Sequence, residues 1–260
     1  MPKLNLDISS TDNLKVKLLR KLQRKKYRDE LGLFVVENPL TIRDGMKLGA
    51  KIEELYLTPE FEERQEGLFS KIINNVPADK IYKVSKSVLG SCVSLEQPQG
   101  IIAVYAKADD EIDISKSVVF LHGVSDPGNV GALMRSCAAF SVRSIIADTE
   151  SADFYNPKTV SAAKESIFSV LLARKKSDFL AKIKNSMHVY ALDVRGKTPL
   201  QAVKWKKPFC LVLGNEAHGI SDSLREYIDT FITITMEASK IESLNVAASG
   251  AIALHQIFLS

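Results

Sequence analysis

Cysteine is scarce and unpatterned: Cys92, Cys137 and Cys210 are odd in number, widely spaced and outside any C-x-x-C. Neither a disulfide framework nor a zinc site is indicated. His122, His188, His218 and His255 form no H-E-x-x-H and lack metal-ligand spacing, so no metal is expected. The start has no apolar stretch of signal-peptide length, and no later run approaches the ~20 apolar residues of a membrane span. A soluble, cytoplasmic protein is the expectation. Gly123, Gly128 and Gly131 do not make G-x-G-x-x-G, and Asn129-Val130 follows Gly128 where a P-loop needs Lys-Ser/Thr. There is also no G-x-S-x-G, which removes the hydrolases built on that turn. Internal repeats and low-complexity segments are missing too.

What is present is a chain of 260 residues, 45% hydrophobic and 25% charged, with 35 Lys and Arg against 31 Asp and Glu. That is enough apolar material for one large or two modest domains. The net charge of +4 names no partner by itself, but its distribution is uneven. Residues 1–28 carry nine basic and two acidic side chains, whereas 109–260 carry 17 of each. The basic character is one N-terminal block.

Helical spacing over 13–30 leads into the apolar run 33–36, a helix from Pro39 to Leu48, and strand-like segments at 54–57, 81–84 and 100–106. This alternation predicts a small α/β domain over 1–106. Residues 107–116, charged and without apolar periodicity, read as a linker. Over 117–260, strands are predicted at 117–121, 143–147, 168–173, 188–192, 209–214 and 229–234, with helices at 128–140 and from Ser243 to about Phe258. Apolar strands alternating with helices imply a mostly parallel sheet covered on both faces.

Three segments place glycine and small polar residues after a buried strand. In FLHGVSDPGNVGALMRSCAAF (120–140), Asn129 and Arg135 bracket the first turns of a helix whose exposed amides favour anions. In LVLGNEAHGIS (211–221), Gly214, Asn215 and Glu216 follow a strand end, where open α/β sheets bind ligands. In IESLNVAASGAIAL (241–254), Ser243 and Asn245 open a small-residue helix, with Ser243 the simplest N-cap. Taken singly, these are a glycine turn, a solvated glutamate and a cap.

Together, in this order and at these separations, the three segments resemble the motifs of the SpoU/TrmH family of RNA 2′-O-ribose methyltransferases, of the SPOUT superfamily. Residues 1–106 are similar to the ribosomal-protein-like RNA-binding domain of rRNA-directed members, and QPQG-I-I-A (97–103) to the end of that domain. The resemblance implies S-adenosylmethionine as methyl donor, a C-terminal sheet with a trefoil knot, RNA as substrate and a homodimer built around the active site. It assigns catalytic roles to Asn129, Arg135, Glu216, Ser243 and Asn245, and cofactor contacts, largely through backbone, to Gly214, Ile234 and Leu244. Relatives have been read as using the Arg135 equivalent as base. A free guanidinium stays protonated, which favours Arg135 as a phosphate clamp, with the proton leaving through phosphate, water or Glu216.

Two departures stand out. Ser161, Ala163 and Glu165 replace an Arg and a Ser-x-Gly-Ala pattern, and Thr235 replaces a Pro before Met236 in a loop one residue longer than usual. With an RNA methyltransferase core, Lys15, Lys17, Arg20, Lys21, Arg24, Lys25, Lys26 and Arg28 become expected phosphate contacts, with large-subunit ribosomal RNA favoured over tRNA. The competing readings are a tRNA 2′-O-methyltransferase, a catalytically inactive RNA-binding ribosome-assembly factor, and a nucleotide-dependent enzyme disfavoured by the missing fingerprints.

Overall fold

A computed structural model of the chain describes residues 5–93, 98–108, 111–237 and 242–260. Gln97, which opens the QPQG stretch, Asp109 and Asp110 of the expected linker, and positions 238–241 of the longer loop lie outside the described residues. The chain divides into two compact units.

The first unit comprises Met1–Lys107 and Tyr155–Phe168. Its sheet contains β1 (Asn5–Ile8), β2 (Leu33–Val36), β3 (Ile52–Leu57), β4 (Ile81–Val84) and β5 (Ile101–Ala106) in the order β1-β4-β3-β5-β2. β1, β4 and β3 are parallel, and β5 runs antiparallel to both β3 and β2. Val16, Leu19 and Leu22, three residues apart, put one stripe of the helix Leu14–Leu22 into a core with Val35, Tyr56, Ile102 and Val104. Asn13 caps that helix by accepting from the Lys15 amide at 2.9 Å. The single helix expected over 13–30 is two, because the apolar stripe ends at Leu22. Arg24 turns extended, and a second helix, Lys25–Leu31, stops at left-handed Gly32, φ 65°.

Residues 155–168, expected within the second domain, pack with the first unit. The cause is an aromatic cluster: Tyr155 meets Phe34, and Phe168 meets Tyr105, each at 4.8 Å between ring centroids. Phe168 thus ends a turn, Lys164–Phe168, and the strand expected from 168 begins at Leu171.

The second unit comprises Ala108–Phe154 and Ser169–Ser260. It holds β6 (Val118–Leu121), β7 (Ser144–Ala147), β8 (Leu171–Arg174), β9 (His188–Leu192), the short β10 (Thr198–Pro199), β11 (Phe209–Leu213) and β12 (Thr230–Thr233). All pair in parallel in the order β10-β12-β9-β11-β6-β7-β8. Every residue of β6 and β11 is buried, as strands covered on both faces require. The strand order reverses beside β6, which is the topological position where α/β sheets open a crevice. The helices Pro127–Ala139 and Val246–Leu259 pack closely because Gly250 has no side chain: a Cβ there would fall 2.4 Å from Leu133.

Candidate active site

The three sequence segments meet at the carboxyl ends of β6 and β11. Asp126 caps the helix Pro127–Ala139 by accepting from the Asn129 amide at 2.8 Å, which sets the Asn129 side chain at the first turn. Asn129 then donates through Nδ2 to Glu216 Oε1 at 2.8 Å, and its Oδ1 accepts from Asn245 Nδ2 at 2.9 Å. Asn245 Oδ1 accepts from the amides of Ala247 and Ala248 at 2.9 and 3.2 Å. Asn245, rather than Ser243, is therefore the N-cap of the last helix, and Ser243 lies in the loop before it. Glu216 and Asn245 are exposed and Asn129 half-buried, so the row is open to a large substrate.

Glu216 also lines a cleft of about 560 Å³, together with Gly214, Ile234, Ser243 and Leu244. All three residues expected to hold the cofactor thus share one cavity with two of the expected catalytic residues. Gly214 is needed for packing, since a Cβ would lie 2.6 Å from the Gly219 carbonyl carbon. The turn between them closes through reciprocal Asn215–Gly219 backbone hydrogen bonds of 3.0 and 2.9 Å, with Gly219 left-handed at φ 65°.

Arg135 is not brought to this row. Six residues along a helix rotate it by roughly 240° from Asn129, and its exposed side chain has no hydrogen-bond or ion-pair partner among the described residues. The basic block divides as well. Arg28 is only 1% exposed and donates to the Leu22 carbonyl, and Lys15 is hydrogen-bonded to Glu54 beside the Tyr82 ring, so neither is a free surface cation. Lys17, Arg20, Lys21, Arg24, Lys25 and Lys26 are exposed. Tyr27 is half-buried, with the Lys21 and Lys26 ammonium groups 5.4 and 5.7 Å from its ring centroid. At the departures, Ser161 and Ala163 lie on the helix Pro157–Ala163. Lys164, which follows, has φ 53°, and Glu165 is exposed.

Sequence reasoning missed two supports. Asn215 donates through Nδ2 to the Gly123 carbonyl at 2.7 Å, and its Oδ1 accepts from the amides of Ala217 and His218. Asp148, fully buried, receives His122 Nδ1 at 2.7 Å, the Gly123 amide, and the Ser151 amide and hydroxyl. Burial alone would raise the Asp148 carboxyl, but these donors outweigh it and hold it far below the usual carboxylate range. An Asx-turn spacing at 215–217 was the available signal for the first; no local signal pairs His122 with Asp148. Among the described residues no group of three or more His, Cys, Asp or Glu is placed to hold a metal, and no helix is long and apolar enough to cross a membrane.

Residues 116–255 match the model of the SpoU rRNA Methylase family, and residues 13–103 match that of an MRM3-like substrate binding domain. The chain is 26% identical over 257 residues to the 23S rRNA (guanosine(2553)-2′-O)-methyltransferase RlmP of Bacillus subtilis (strain 168), covering 96% of this chain and 98% of that protein. It is 30% identical over 172 residues to the 23S rRNA (guanosine-2′-O-)-methyltransferase RlmB of Xylella fastidiosa (strain 9a5c), covering 61% of this chain and 69% of the other. The crystal structure of an AdoMet-bound rRNA methyltransferase from Sinorhizobium meliloti superposes with a TM-score of 0.82 at 25% identity, covering 96% of each chain.

Proposed function

The chain belongs to the SpoU rRNA methylase family, and on that premise we propose that it transfers a methyl group from S-adenosylmethionine to a ribose 2′-hydroxyl of RNA, with large-subunit ribosomal RNA as substrate. The observation that carries this reading is the hydrogen-bonded row Glu216–Asn129–Asn245 at the open edge of a cleft. The cleft fits the cofactor in size and character: about 560 Å³ falls within the roughly 300–1,000 Å³ of small-molecule sites. Leu213, Ile232 and Leu244 supply apolar walls and Gly214 bare backbone.

When bound, the cofactor supplies an electrophilic methyl group on a sulfonium. Around it, the chain's own residues do the positioning. Asn129 and Asn245 hold each other and Glu216 in register, so the attacking hydroxyl meets preset partners rather than water. Glu216 keeps a carboxylate oxygen outside its bond to Asn129 and accepts the hydroxyl proton directly or through water as the oxygen–methyl bond forms and the sulfur–methyl bond breaks. Ser243, in the same wall, orients the ribose. Arg135 clamps a substrate phosphate.

The first unit is the RNA-binding part of this proposal, gripping phosphates with Lys17, Arg20, Lys21, Arg24, Lys25 and Lys26. A homodimer is also part of it. Ile252, Phe258 and Leu259 expose apolar surface on the last helix, at 43%, 56% and 66%, of the kind that a second copy would cover. A cytoplasmic location belongs to the same proposal.

The test is transfer of labelled methyl from S-adenosylmethionine to purified 23S rRNA and to tRNA, followed by alkaline hydrolysis, which spares the phosphodiester next to a 2′-O-methyl group. Label in an alkali-resistant dinucleotide from 23S rRNA is expected. Label only in tRNA would move the substrate, and RNA binding without transfer would point to an assembly factor.

A further inference from the structure

In the cleft that Glu216 lines, the turn after β9 presents a side chain that the methyl-transfer reading leaves unused. Among the described residues lining the cleft, Arg195 is the one lysine or arginine, in a lining that also holds the acidic groups Asp193, Glu216 and Glu242. Its turn is built to hold it. Asp193, with a side chain 5% exposed, accepts the Arg195 amide at 2.8 Å through Oδ1 and Arg225 at 2.8 Å through Oδ2. The Asp193 carbonyl accepts from the Gly196 amide at 2.9 Å. Gly196 lies against the backbone of β12, where a Cβ would be 2.5 Å from the Ile232 carbonyl carbon.

The Arg195 side chain itself remains 73% exposed, touching Asp193 only through Nε at 3.5 Å. Asp193 is already neutralised by Arg225, so the two terminal nitrogens of Arg195 are free for a bidentate partner. That partner must be an anion. β9 lies one strand from β11 and two from β6, so the strand leading to Arg195 runs roughly 5 Å from the one leading to Glu216 and roughly 10 Å from the one leading to Asn129. A sulfonium is drawn toward Glu216 and away from a guanidinium. The one negative group of S-adenosylmethionine, its carboxylate, has the opposite preference.

We propose that Arg195 binds the carboxylate at the amino-acid end of S-adenosylmethionine and so sets the direction in which the cofactor lies in the cleft. This rests on the methyl-donor reading above. The charge order, cation at one end and carboxylate at the other, lets a zwitterionic tail enter one way round.

The test uses the full chain and direct binding, by calorimetry, of four probes: S-adenosylmethionine, S-adenosylhomocysteine, decarboxylated S-adenosylmethionine and 5′-methylthioadenosine. Arg195→Gln is expected to weaken the two carboxylate-bearing ligands about tenfold, as for one charge-assisted pair at a partly exposed site. Decarboxylated S-adenosylmethionine and 5′-methylthioadenosine should bind as they do to wild type, and Arg195→Lys should recover part of the loss. Equal weakening of all four probes would mean that Arg195 shapes the turn or contacts the nucleoside, and no weakening would mean no contact; either overturns the proposal. Wild-type protein that binds none of the four would instead sink the methyl-donor reading beneath it.

Discussion

The two units use polar side chains in opposite ways. In the second, Asn129, Glu216 and Asn245 are engaged with one another at 2.8–2.9 Å, and the turns that carry them are fixed by Asp126, Asn215 and close glycine contacts. In the first, Arg20 donates to Ser91 Oγ at 2.7 Å, but the other exposed cations between Lys17 and Lys26 have at most light engagements, such as Lys17 with Asp12 at 3.5 Å and Lys25 with Asp29 at 3.4 Å. Methyl transfer rewards a geometry preset before the substrate arrives. Phosphate binding rewards charge that can follow a backbone and release counterions. Rigidity marks the chemistry and loosely held charge marks the grip.

Gly214→Ala should break the second unit most severely, because the new methyl has no room beside the Gly219 backbone. S-adenosylmethionine affinity is expected to fall about a hundredfold or more, against a core overpacking cost of about 1–3 kcal/mol, with RNA affinity retained, as read by calorimetry and filter binding. Arg28→Ala sharpens the distinction inside the first unit. Losing a buried guanidinium that donates to the Leu22 carbonyl should cost about 2–3 kcal/mol of stability in urea unfolding, while the salt slope of RNA binding stays unchanged. A reduced slope would return Arg28 to the phosphate contacts.

Asp148→Asn probes how the cleft is supported. Because the folded carboxyl is depressed, its contribution is complete above the unfolded pKa of about 3.9 and is lost as pH falls through the lower folded value. The variant should be about 1–3 kcal/mol less stable than wild type near pH 7, with the gap closing below about pH 4. A pH-independent gap would exclude the ionised carboxylate as the cause. The smallest effect belongs to the surface: each exposed cation replaced by Gln should flatten the logarithmic salt dependence of RNA affinity by about 0.7–0.9 if it contacts a phosphate.

Much of the C-terminal sheet is legible from sequence because strands buried on both faces read as unbroken apolar runs, as at 118–121 and 209–213. Thr198–Pro199 carries no such signal, being two residues at an edge. The site segments are legible as glycine turns after strands, but their closure into one row depends on side chains 87 and 116 residues apart. Ser243 and Asn245 are both cap-type residues, and only the amides of Ala247 and Ala248 choose between them. Arg28 looks like its neighbours in a charge run, and nothing local marks it as buried. The helix of 157–163 opens on Asn156 as cap and Pro157 at its first position. Its membership of the first unit is set by the Tyr155 and Phe168 rings finding Phe34 and Tyr105.

The division of labour is tested most directly by methyl transfer to 23S rRNA, measured over a full range of RNA concentration, for two variants side by side: Asn129→Ala, and a variant with Lys17, Lys21, Arg24 and Lys26 all changed to Gln. Asn129→Ala is expected to lose kcat by about a hundredfold or more with little change in RNA affinity. The charge variant is expected to raise KM in a salt-dependent way while keeping kcat at saturating RNA. If both variants lost the same parameter, or if the charge variant lost kcat alone, the separation of grip from chemistry would be contradicted.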